Sequence, residues 1–85
     1  MSWSGMISQR VLGAIAHPNW NPGDDYQLLT GCENGVPLRR IAVGLMRDPR
    51  AVQQRWHRLR VVPGVKAALE PHKASHRPYD YGDML

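Results

Sequence analysis

Arg50, Gln53, Gln54, His57 and Arg58 recur at i, i+3, i+4, i+7 and i+8, the spacing that gathers side chains on one face of an α-helix. An Arg guanidinium can fork onto guanine O6 and N7, and a Gln amide can do the same for adenine N6 and N7, each pair discriminating bases by about 1–3 kcal/mol. No Asp or Glu interrupts residues 49–60. A face kept only for solubility would mix Glu with Arg or Lys to gain i,i+4 pairs, and this one does not. The chemistry indicated is the reading of base edges in a nucleic-acid groove.

The charge distribution points the same way. The 85-residue chain carries a net charge of +4. Residues 1–19 contribute +1 (Arg10), residues 20–38 contribute −3 (Asp24, Asp25, Glu33), residues 39–60 contribute +6 (seven Arg against Asp48), and residues 61–85 balance at zero. The basic side chains of the 39–60 stretch are all Arg, which suits bidentate contacts with phosphate or guanine better than diffuse solubilising charge. On this reading Arg50, Gln53, Gln54, His57 and Arg58 face bases or adjacent phosphates, and Arg39, Arg40, Arg47 and Arg55 lie nearer the backbone.

Three helices must position these groups. Asn21 can cap a helix whose first turn holds Pro22, Asp24 and Asp25, and Gly35 suits its left-handed end, giving a helix over 22–33. Leu38, Ile41, Ala42 and Leu45 form an apolar stripe with Arg39 and Arg40 pointing away, giving a helix over 37–46. Asp48 caps a third helix with Pro49 in its first turn. There Val52, Trp56 and Leu59 make the inward stripe, and Val61-Val62-Pro63-Gly64 ends it, giving 49–60.

The residues that mark these helices resemble the Myb/SANT-like domains. The pattern runs from Trp20 through Asp24 and Asp25, Leu38, Ile41-Ala42, Leu45 and Arg47 to Gln54-Arg55-Trp56-His57-Arg58-Leu59, about half the chain. The resemblance implies a three-helix helix-turn-helix bundle, a structural role for Trp20 and Trp56 in the core, and base reading from the third helix. SANT-type relatives often bind histone tails or other proteins, but they tend to carry acidic third helices.

The flanks are less regular. Residues 4–16 place Ile7, Val11, Ala14 and Ile15 on one face of a short helix that His17-Pro18 would end, and this segment could pack on the core or dimerise. Residues 63–85, with Pro63, Pro71 and Pro78 and little periodicity, read as a flexible tail whose basic part, 72–77, could touch phosphates. The expected organisation is therefore an N-terminal extension over 1–19, a helix-turn-helix domain over 20–62 and a tail over 63–85.

Other function classes find little support. The single cysteine, Cys32, excludes an intramolecular disulfide and sits on an apolar stripe as a small core residue. His72 and His76 have ligand-like spacing only in a helix that Pro71 and Pro78 leave no room for, so no metal or other cofactor is expected. There is no glycine-rich phosphate loop and no nucleophile–base constellation, so catalysis is not expected either. The longest apolar runs are too short for a bilayer, and the N-terminus lacks the basic region of a secretory signal. The sequence thus describes an all-α, intracellular protein whose partner is double-stranded DNA, with an acidic protein docked on the Arg-rich face as the alternative and a second copy as a further partner.

Overall fold

The computed structural model describes residues 3–79, with the backbone alone for residues 3–8. The chain is all-helical over these residues: α1 (Trp3–Ile15), α2 (Pro22–Glu33), α3 (Leu38–Leu45), α4 (Pro49–Leu59) and α5 (Val65–Leu69), followed by a 3-10 turn at Glu70–His72. Local signals set the boundaries. Asn21 Oδ1 accepts from the Asp24 backbone N–H at 2.8 Å, with Pro22 in the first turn, and Gly35 takes a left-handed φ of 79° just beyond the end of α2. Asp48 caps α4 through the Arg50 backbone N–H at 2.8 Å. Between α3 and α4 the turn is closed by Met46, a left-handed residue whose N–H bonds back to Ala42 and Val43.

α2 is the central element, touching α3, α4 and α5, while α1 packs chiefly on α5. The core draws Val11, Leu12 and Ile15 from α1, Leu28 and Leu29 from α2, and Ile41 and Ala42 from α3. Val52 and Leu59 of α4, Val65, Ala68 and Leu69 of α5, and Trp20 and Tyr79 complete it. On α1 the buried stripe is Val11, Leu12 and Ile15; Ala14 is exposed, contrary to its expected place, and the Ile7 side chain lies outside the described residues. Cys32 packs at the edge of the core, where burial pushes its thiol pKa up.

Two further expectations about the fold are corrected. From residue 63 a flexible tail is expected, yet Val65, Ala68, Leu69 and Tyr79 are buried and the segment 73–79 is strapped across the start of α2. The Ser75 carbonyl accepts from the Gly23 N–H at 2.7 Å, and a Cβ on Gly23 would lie 2.7 Å from that same oxygen, so only glycine admits this approach. A five-residue helix is too short to announce itself by periodicity, and its stability comes from packing on α1 and α2. Residues 80–85, also assigned to the tail, lie outside the described residues.

The second correction concerns the inward face of α4. Its fully buried residues are Val52, Arg55 and Leu59, while Trp56 is half-buried and packs against the core from its margin. A helical wheel assigns Trp56 to the interior and Arg55 outside because it ranks side chains by polarity. A carboxylate waiting in the core reverses that order.

Candidate nucleic-acid interface

The waiting carboxylate is Asp25, itself fully buried. Arg55 donates from Nε to Asp25 Oδ1 at 2.8 Å and from Nη2 to Oδ2 at 2.6 Å, a bidentate pair. Arg55 Nη2 also donates to the Ile15 carbonyl at 2.6 Å, and the Tyr79 hydroxyl donates to Asp25 Oδ2. Every buried side-chain polar atom among the described residues has a partner, so the charges are matched in the interior. Arg55 is therefore withdrawn from the backbone-contacting set and serves as an internal tie between α1, α2 and α4.

Burial, and next the neighbouring Asp25 carboxylate, push the Tyr79 phenol well above its ordinary value of 10.0. A folded-state pKa above the unfolded one stabilises the fold fully below the unfolded value, and that contribution is lost as pH rises above it. Unfolding free energy should therefore fall above about pH 10, by up to about 1.4 kcal/mol per pH unit for this one group. Urea denaturation across this range should show that decline, and Tyr79→Phe should remove most of it. An equally steep decline in Tyr79→Phe would transfer the effect to Tyr26 and Lys66, whose pKa values are also raised.

Arg47 is largely committed as well. Its Nε and Nη2 donate to Asp24 Oδ2 at 3.1 and 2.9 Å, Nη1 donates to the Asn19 carbonyl at 2.8 Å, and the guanidinium lies 4.0 Å from the centre of the Trp20 ring. The adjacent Asp24 and Asp25 thus each hold one arginine from the basic half of the chain. Sequence gives one trace of this: two acidic residues at a helix start, facing an excess of Arg, with no acidic residue near those arginines but Asp48.

The remaining candidates stay at the surface. Arg50, Gln53, Gln54 and His57 are exposed along the outer face of α4, and their side chains have no hydrogen-bond or ion-pair partner among the described residues. Arg58 is exposed and gives one Nη2 hydrogen bond, 2.8 Å long, to the Ala14 carbonyl at the end of α1, where a cation also suits the helix dipole. Arg39 and Arg40 are exposed on α3 and outside every ion pair among the described residues. Arg60, absent from the expected set, is equally exposed just past the end of α4.

No family model, no curated protein and no solved structure matches this chain. The site must be read on its own chemistry. His72 lies in the 3-10 turn and His76 Nδ1 lies 3.3 Å from Asp24, and no group of three or more metal-ligating side chains converges among the described residues. No helix among them is long and apolar enough to cross a membrane. What the surface offers is a row of exposed donors on α4, with exposed arginines on α3, that have no ion-pair partner among the described residues.

Proposed function

We propose that this chain is a Myb/SANT-like helix-turn-helix protein that binds double-stranded DNA, in transcriptional control, by seating α4 in the major groove. The observation that carries the reading is the outer face of α4: Arg50, Gln53, Gln54 and His57 are exposed and have no partner among the described residues, while Arg47 and Arg55 on the same basic stretch are tied to carboxylates. Donors free on a rigid, capped helix meet base edges without first breaking an internal bond, and their backbone is already ordered. Arg39 and Arg40 supply backbone contacts from α3.

The test is titration with duplexes selected from a random pool. The logarithm of affinity should fall linearly with the logarithm of salt, by about 0.9 per phosphate neutralised. Gln53→Ala and Gln54→Ala should each lose about 1–3 kcal/mol on the selected site while keeping nonspecific affinity and the salt slope. Arg39→Ala should weaken all sequences evenly and flatten the slope by about one. Gln variants that bind the selected site as well as the parent would remove α4 as the reader.

A second reading is supported by a different patch. Val43 on α3 and Met46 at its C-terminal end are 75% and 91% exposed, and Pro37, Arg39, Arg40 and Val43 line a shallow apolar groove. Large apolar side chains next to free cations suit an acidic, partly apolar protein segment. On this reading duplex DNA binds weakly, and Val43→Ser with Met46→Ser abolishes the protein complex without changing DNA affinity.

A further inference from the structure

A groove of about 350 Å³ runs between the connection that joins α1 to α2 and the flank of α4. His17, Asn19, Trp20, Arg47, Gln54 and Arg58 line it, and no carboxylate is among its lining residues. Its arginine floor is fixed before any ligand arrives, since Arg47 is stacked on Trp20 and bonded to Asp24 and the Asn19 carbonyl. The Asp24 charge is paired with Arg47 through Oδ2, and His76 Nδ1 lies 3.3 Å from Oδ1, so the carboxylate is engaged on the side away from the lining of the groove.

The rim supplies donors. The Asn19 backbone N–H donates to His17 Nδ1 at 3.1 Å, so a neutral His17 carries its proton on Nε2 and offers it as a donor. Arg58 is held in place by its bond to the Ala14 carbonyl, and its other N–H groups remain unpartnered among the described residues. Gln54 belongs both to this groove and to the outer face of α4. An anion seated here would therefore lie directly beside the side chains that face bases.

We propose that this groove is a phosphate subsite that holds one phosphodiester of the nucleic-acid backbone and so sets the register of α4. It rests on the DNA reading above. Arg58 supplies the charge, His17 Nε2–H supplies a neutral hydrogen bond, and Arg47, paired with Asp24 and stacked on Trp20, is the rigid floor. The connection between α1 and α2 thereby becomes a second contact element, which a single reading helix of this size needs to cover more than a few base pairs.

The experiment uses the full chain at pH 8, above the ordinary histidine range, on the selected duplex with each backbone phosphate replaced in turn by an uncharged methylphosphonate. One replacement should weaken the parent. Arg58→Gln should bind the unmodified duplex more weakly with a salt slope lower by about 0.9, and that replacement should cost it nothing further. His17→Ala should lose affinity with the slope unchanged. Circular dichroism melts check that both variants fold, and where Arg58→Gln does not, His17→Ala decides. Folded variants that keep the parent's affinity and slope overturn the proposal. If the parent binds no duplex, the DNA reading fails on its own, and sodium pyrophosphate decides the subsite. Amide shifts confined to residues 17–20 and 54–58 and missing from the variants would support it, and their absence would overturn it.

Discussion

Arg55→Met should cost about 3–5 kcal/mol of folding free energy, because it leaves the Asp25 carboxylate buried with its cation gone. The pair is 5% and 0% exposed, so water does not replace the lost partner without opening the core. The Ile15 carbonyl loses its donor in the same step, and Asp25 keeps only the neutral Tyr79 hydroxyl as a side-chain partner among the described residues. Small domains hold about 5–15 kcal/mol in all, so the variant should lose about a third or more of its stability and unfold at a much lower urea concentration than the parent. Urea denaturation followed by circular dichroism measures this directly. A loss below about 1 kcal/mol, the range of an exposed pair, would mean that Asp25 is reached by solvent and the network is not internal. Loss of DNA binding in this variant would report unfolding, which is why Arg55 is a poor probe of the interface despite its position in the Arg-rich stretch.

Removing residues 65–85 should abolish cooperative folding altogether. The deletion strips Val65, Ala68, Leu69 and Tyr79 from the core and bares the faces of α1 and α2 that α5 covers. Val65 and Leu69 alone bury side chains worth about 1.5–3 kcal/mol each. Asp25 loses the Tyr79 hydroxyl, and the start of α2 loses the Ser75 carbonyl on Gly23. Thermal melts of the shortened chain should show a broad, non-cooperative decline in helicity. A sharp transition near that of the parent would show that residues 1–64 suffice as a domain.

The helices that bear the candidate interface were legible in the sequence because their signals are local. Asn21-Pro22, Gly35 and Asp48-Pro49 act within a turn of where they stand, and the boundaries of α2, α3 and α4 follow from them to within a residue. The outer face of α4 was legible for the same reason, since helical spacing alone groups Arg50, Gln53, Gln54, His57 and Arg58. Long-range partners were not. Nothing near Arg55 announces a carboxylate 30 residues away, and nothing near Tyr79 announces the same carboxylate 54 residues back. Likewise Arg47 looks like any basic turn residue until Trp20 and Asp24 are brought beneath it. His17 and Asn19 carried no periodic signal at all, and only the groove they share with α4 brings them into the site.

The bonds centred on Asp25 and on the end of α1 have a kinetic consequence. Ile15 to Arg55, Ala14 to Arg58 and Asp25 to Tyr79 close loops of 40, 44 and 54 residues, in a protein whose helices can each form locally in about a microsecond. Loop closure of that length must be met before these bonds return any energy, so the slow step in folding should be the docking of α1 and the 73–79 strap on preformed α2 and α4. During synthesis the carboxylate of Asp25 must stay hydrated until Arg55 has emerged, and it acquires its last partner only when Tyr79 follows.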